Sequence, residues 1–578
     1  MDPLTSGGRI GTLGAAMTTR TRSESSALSS DPVSARSDPH NVHNVHYAHN
    51  VGAWISHWAS HRPDALAWAD AERRCDYACA EDRIQRLTAW FAGRGVGRGD
   101  RIALWLGNRG AMLEALFAAA RLGAIVLPVN ARLTPLEVAF QFDDATPSVV
   151  LVERAWRDRA EATMAIMSEP PPQQLEVGVV ERSAENDPDY PNDDAYEQAL
   201  TASTPSDFCA AVEPEDPMIL MYTSGTTGHP KGALLPHRKT LFNCRNAEIY
   251  FGIEDTDRVL VVAPLFHSLG LQILALPALY MGAGIVLQEG FDPDRVWSAI
   301  ETEAITYYGG VPTMHKRLLD TLERRSPASI PASLRFAFTA GAAASASLIR
   351  AFHDHGLLMK QGYGQTETSI LTCLDAERAL TKAGSVGHPV RYAELRLVDP
   401  DSIEGDLESW HDVAPGAVGE IVVRGPITML GYWRRPEATA ETLRGEWLRT
   451  GDLATRDDDF DITLVGRARE MYISGGENVY PAEVEATLSL HPHVAEVAVV
   501  AIPDAEWGEI GRAHVVPIEN ESIEPTALAG WLDTRLARYK QPREIVIESA
   551  LPRTASGKVQ KHLLENNAPP NTKRTSSP

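Results

Sequence analysis

The sequence predicts an α/β protein: a large N-terminal domain of parallel-rich sheets flanked by helices, then a small α+β domain. Three observations predict it. From about residue 50, strand-like apolar runs alternate with helical ones at βαβ spacing. After about residue 470 the rhythm changes to short helices between longer strands. The chain has 578 residues and 44% hydrophobic content, enough core for more than one ordinary domain.

Residues 1–49 are rich in Ser, Thr, Arg and Asp and predict a disordered tail. Within it "HNVHNVHYAHNV" spaces His40, His43, His46 and His49 three apart, which reads as a solvated repeat because no Cys or supporting carboxylates join it. No apolar h-region marks a signal peptide, and Met17 is a second candidate start. "RIALWL" (101–106) reads as a strand, "AMLEALFAAARLG" (111–123) as a helix closed by glycine, and "AIVLPV" (124–129) as the next strand. "TPLEVAFQFDDA" (134–145) is a helix with threonine capping and proline in its first turn, and "SVVLVE" (148–153) a strand. Residues 168–216, rich in Pro, Asp and Glu, read as an exposed connection. "PMILMY" (217–222), "RVLVVAP" (258–264) and "LRFAFT" (334–339) resume the strands.

"LGLQILALPALYMGAGIVL" (269–287) approaches membrane-spanning length. Pro277, Gly282 and Gly284 divide it into a buried helix, a turn and a strand. In the C-terminal unit, "PAEVEATLSLHP" and "PTALAGWLDTRLARY" predict helices; "VAEVAVVAIP", "RAHVVPIE" and "REIVIE" predict strands. The segment from residue 567 predicts a disordered tail.

The net charge of −23 leaves no basic footprint for nucleic acid or anionic lipid. An anionic substrate must therefore be held by local charge. Cys75, Cys79, Cys209, Cys244 and Cys373 are few for this length and read as free thiols in a reducing cytosol, so a cytoplasmic protein is expected.

"YTSGTTGHPKG" (222–232) combines glycines, hydroxyls and one lysine after an apolar strand. Glycine admits close approach of backbone N–H groups to phosphate oxygens, hydroxyls add donors, and lysine adds a point charge. It is not a Walker A loop, because Gly232 rather than Ser or Thr follows Lys231. No G-x-G-x-x-G is present, and "AGSVG" (383–387) misses the serine-hydrolase elbow at Ala383.

Seven further segments follow in order: "APLFHSLG" (263–270), "TAGAA" (339–343), "GYGQTET" (362–368), "GEIVVRGP" (419–426), "WLRTGDLA" (447–454), "GRAREMYISGGENVYPAEVE" (466–485) and "PRTASGKV" (552–559). With these the chain resembles the adenylate-forming (AMP-binding) superfamily, on its acyl-CoA synthetase branch, over roughly residues 50–566. The resemblance implies two steps. A carboxylate attacks the α-phosphate of ATP to give acyl-AMP and pyrophosphate, and a thiol then displaces AMP.

The resemblance also implies roles. Thr223, Ser224, Gly225, Thr226, Thr227, Gly228 and Lys231 hold the β- and γ-phosphates. Thr366 meets the α-phosphate and Glu367 holds Mg²⁺. Tyr363 stacks on adenine, with Gly341, Ala342 and Ala343 on its other side. Asp452 takes the ribose hydroxyls, with Arg467 beside it. Lys558 bridges carboxylate and α-phosphate. Phe266 and His267 gate an acyl channel, along which runs the segment from Tyr307 to Val311, its glycines leaving room and its tyrosines closing it. The implied boundaries are an adenylate-forming domain over 50–466, a hinge at 467–469 pivoting on Arg469, and a mobile lid over 470–566. Ser474, Gly475 and Gly476 then line a pantetheine tunnel. Arg535, Arg538, Lys540 and Arg543 face either the phosphates of CoA or solvent. The expected partners are a hydrophobic fatty or aryl acid, ATP and CoA; a homodimer, a carrier-protein thiol acceptor and a non-catalytic nucleotide-binding relative stay open.

Overall fold

The computed structural model describes residues 49–177, 195–223, 230–325, 329–341, 344–382, 384–468, 470–474, 477–504, 507–519, 521–533, 535–536, 538–553 and 559–565. Among them, two large sheets carry the N-terminal region. In the seven-stranded sheet, Arg101–Trp105, Ile125–Pro128, Val149–Glu153 and Pro217–Thr223 form a parallel centre, and Lys231–Pro236 runs antiparallel beside it. In the nine-stranded sheet, Leu66–Ala69, Gly284–Leu287, Arg258–Val261, Tyr307–Gly310, Phe336–Thr339 and Leu358–Gln365 are parallel neighbours. This is the predicted α/β architecture. Strands in such sheets are covered on both faces, so they read as continuous apolar runs. The strand Val149–Glu153 is buried throughout.

Local signals behave as expected. Helix Pro135–Ala145 begins with a full capping box, Thr134 and Glu137 each satisfying the other's backbone N–H. The apolar stretch 269–287 divides into a wide π-type turn (Leu269–Ala275), a short helix (Leu276–Tyr280) and a strand (Gly284–Leu287). No described helix is long and apolar enough to cross a membrane. All five cysteines are free.

Four expectations need correction. Residues 168–216 are more than a connection. Gln173–Val177 adds a parallel edge strand to Val149–Glu153, and helix Ala195–Ala202 buries Tyr196 and Leu200. Tyr196 donates to Glu114 at 2.6 Å, and Glu114 also pairs with Arg83. A polar composition concealed them because an edge strand and a one-sided helix bury few side chains.

The helix predicted over 525–539 is Pro525–Asp533, followed by a separate turn, Arg538–Lys540. A third sheet, wholly antiparallel, spans residues 394–467 and was not anticipated.

The fourth correction concerns the strand Tyr307–Gly310. Tyr307 stacks on Phe336 with centroids 4.9 Å apart, and Tyr308 packs in a second core against His315. Alternation along the strand sends the two rings to opposite buried faces. Gly309 does not leave open room either, since an added Cβ would lie 2.9 Å from a Leu274 methyl.

The C-terminal region has its own apolar core, including Tyr472, Val484, Leu488, Val515, Leu528 and Ile545. Lys540 pairs with Glu483, and Arg535 stacks 3.5 Å above the Trp531 ring. Those two cations thus serve the surface of their own unit.

Three histidines predict an acid-labile fold. Burial pushes His237, His267 and His315 each down to about 4, from an ordinary 6.5. The backbone N–H of Val51 donates to His237 Nδ1, which requires an unprotonated nitrogen. As pH falls the unfolded chain takes up these protons first. Stability is therefore full above pH 6.5 and is lost between 6.5 and 4, by about 1.4 kcal/mol per pH unit for each ring. Urea titrations at pH 7 and pH 5 should show that loss, and an equal unfolding free energy at both would contradict it.

Candidate functional site

The glycine-rich segment lies between two strands of one hairpin. Thr223 faces Lys231 and Tyr222 faces Gly232, and the Thr223 hydroxyl donates to the Lys231 carbonyl at 3.4 Å. Ser224, Gly225, Thr226, Thr227 and Gly228 lie outside the described residues. Beside this hairpin runs Gly431–Tyr432, paired with Ala233 and Leu234. The Lys231 ammonium sits 5.4 Å from the centroid of the Tyr432 ring. The Tyr432 hydroxyl donates to Glu367 Oε1 at 2.9 Å. One tyrosine thus joins the end of the glycine-rich segment to the acidic residue of "GYGQTET".

Thr366 and Glu367 occupy a tight turn between strands Leu358–Gln365 and Ser369–Leu374. Gly364 is required there, because an added Cβ would fall 1.7 Å from the Ser369 carbonyl oxygen. Thr366 is half-buried and Glu367 is buried. The Met429 N–H holds the Glu367 carbonyl at 2.8 Å. Among the described residues no donor reaches Glu367 Oε2, so one carboxylate oxygen is uncommitted.

The antiparallel sheet missed in the sequence positions Asp452. Strands Trp447–Arg456 and Ile462–Arg467 set Asp452 opposite Arg467, and Arg467 Nε lies 3.0 Å from Asp452 Oδ1. Asp452 Oδ2 accepts from the Tyr363 hydroxyl at 2.5 Å and from Gln365 Nε2 at 2.6 Å. Gln365 also donates to the Thr450 carbonyl at 2.8 Å. Burial, then the Asp452 charge, raises the Tyr363 phenol far above its usual range, so it remains a donor. Sequence reasoning placed Asp452 and Arg467 at the ribose and Tyr363 at the adenine, whereas the fold makes all three one cluster. It missed Gln365 and Tyr432. Gln365 stood inside a quoted motif, while Tyr432 stood in none.

Residues 55–433 match the AMP-binding enzyme family, and residues 483–558 match the AMP-binding enzyme C-terminal domain. The chain belongs to the AMP-binding enzymes. A feruloyl-CoA synthase from an Amycolatopsis species is 38% identical over 514 residues, covering 88% of this chain and 97% of that protein. An indoleacetate–CoA ligase from Aromatoleum aromaticum is 38% identical over 524 residues, covering 88% and 96%. ATP-bound MatB from Rhodopseudomonas palustris superposes with a TM-score of 0.80 at 27% identity, covering 89% of this chain and 98% of that one.

In this AMP-binding enzyme, His267 follows Pro264 through a backbone bond of 3.1 Å, and its ring lies 4.6 Å from that of Phe266. Its Nε2 is buried without a partner among the described residues. Burial, and then the Arg132 charge, keep the ring neutral. Gly341 has φ 85°, a left-handed backbone that glycine adopts freely. Ser474 is buried at the end of strand Tyr472–Ser474. Ala342, Ala343, Arg469, Gly475, Gly476 and Lys558 lie outside the described residues.

Proposed function

We propose that this AMP-forming acid–thiol ligase activates an aryl carboxylic acid and passes it to CoA. A carboxylate oxygen attacks the α-phosphorus of ATP, pyrophosphate leaves, and acyl-AMP forms. The CoA sulfur then attacks the acyl carbon, and AMP leaves. Adenylation joins two anions, so charge placement and alignment carry it.

In this reading the segment Thr223–Gly228 and Lys231 hold the β- and γ-phosphates, and Thr366 meets the α-phosphate. Glu367 fits a hard cation: it is buried beside that turn with one oxygen uncommitted. Bound Mg²⁺ would supply neutralisation of phosphate charge there. Tyr363 stacks on adenine beside Gly341, Ala342 and Ala343, while Asp452 takes the ribose with Arg467. Lys558 spans carboxylate and α-phosphate. The region after residues 467–469 turns as a lid and brings Ser474, Gly475 and Gly476 to the CoA arm.

The observation that carries the choice of acid is the packing at Gly309. Leu274 fills the space beside it, 2.9 Å from where a Cβ would be. In this reading the acid lies along the strand Tyr307–Gly310, where such packing favours a compact ring over a long chain. The two relatives at 38% identity carry the names of ring-bearing acyl groups, which supports the same choice. Pyrophosphate release should be measured with benzoate-, cinnamate- and indoleacetate-type acids and with fatty acids of increasing length, with and without CoA. Aryl acids should lead, and Leu274→Ala should improve longer acids relative to them. Preference for long-chain acids by the unaltered enzyme would reject this reading.

A further inference from the structure

Lys239 lies on helix His237–Ala247, which directly follows strand Lys231–Pro236. It has 0% exposure. Burying an ammonium group is costly, and an unbranched apolar side chain would fill the same space without that cost. Its ammonium donates to the hydroxyl of Ser369. Ser369 stands two residues beyond Glu367 and holds φ at 60°, a left-handed value uncommon outside glycine. The helix makes a second bond to the next residue, with the Ile370 N–H donating to Asn243 Oδ1 at 3.3 Å. One helix therefore grips the exit of the Thr366–Glu367 turn at two consecutive positions. The entrance is held by Tyr363 and Gln365 on Asp452, and the crest by Tyr432 and Met429 on Glu367. Gly364 passes so close to the Ser369 carbonyl that displacing Ser369 must displace the turn.

We propose that Lys239 is a positioning residue for adenylation, acting through Ser369 to set the backbone that presents Thr366 and Glu367 to the nucleotide. The inference rests on the reading of that turn as the phosphate and metal contact. It assigns Lys239 no contact with substrate. Burial pushes the Lys239 ammonium down to about 7, and the nearby Glu367 charge acts against that shift.

The test is acid-dependent ATP–pyrophosphate exchange on the full chain, with Lys239→Met, Ser369→Ala, the double variant and Glu367→Gln. Lys239→Met should fold and lose about tenfold or more in kcat, because small misplacements of reacting groups are expensive, while KM for the acid stays within about twofold. Ser369→Ala should act in the same direction. The double variant should be no worse than the poorer single one, since both remove the same bond. A core-filling role would give no such pattern.

Unchanged kcat in folded Lys239→Met, or losses that multiply in the double variant, overturns the proposal. If Lys239→Met does not fold, Ser369→Ala decides alone: reduced kcat supports the role and unchanged kcat rejects it. A silent Glu367→Gln removes the reading of the turn and this proposal with it. An inactive Glu367→Gln beside a fully active Lys239→Met removes this proposal only.

Discussion

Lys558→Ala lowers acid-dependent pyrophosphate release by about two orders of magnitude, the scale of losing one preorganised group that stabilises transition-state charge. Negative charge is concentrated where the carboxylate meets the α-phosphate, and the chain as a whole carries −23. In the proposed reading the Lys558 ammonium spans both reacting groups and offsets that repulsion locally. The described residues on either side of 554–558 are joined by a bridge between Arg553 and Val559 and by the Gln560 N–H on the Pro552 carbonyl at 2.8 Å. The measurement has two arms. Acid plus ATP should lose pyrophosphate release, whereas supplied acyl-AMP plus CoA should still give thioester, because the lysine is assigned to the first step only. Near-normal pyrophosphate release would remove Lys558 from adenylation.

Asp452→Ala raises the KM for ATP by about thirty- to hundredfold, corresponding to about 2–3 kcal/mol for losing hydrogen bonds to a buried charge. Asp452 is 6% exposed and gathers Tyr363, Gln365 and Arg467. Its removal leaves the Tyr363 hydroxyl and the Gln365 amide short of an acceptor and frees both side chains to turn. Arg467 keeps 42% side-chain exposure, so water replaces much of its lost partner and its share is smaller. Equilibrium binding of ATP and steady-state KM should weaken together. A variant that binds ATP normally would show that Asp452 only braces Tyr363, without any contact to nucleotide.

Much of the architecture was legible because its signals are local. Thr134 and Glu137 mark a capped helix within four residues, and the buried strand 149–153 is apolar at nearly every position. Helix Ala195–Ala202 was not legible. Its buried Tyr196 gains its meaning from Glu114, itself paired with Arg83, and both are remote in the chain. The antiparallel sheet was hidden for a related reason. "GEIVVRGP" and "WLRTGDLA" were read for their chemistry, and the pairing that makes them strands is visible only across the chain.

By itself the sequence determined the βαβ order, the change of rhythm near residue 470, the types of group available for phosphate chemistry and the family they belong to. Such properties are written in short windows, where glycine content, hydroxyl spacing and apolar period need no distant partner. Only the tertiary structure decided that Tyr432 joins Lys231 to Glu367, that Asp452 is held by Tyr363, Gln365 and Arg467, and that Leu274 fills the space beside Gly309. Each of these is a contact between elements brought together by sheet register and packing, and none can be summed from the preferences of the residues that meet.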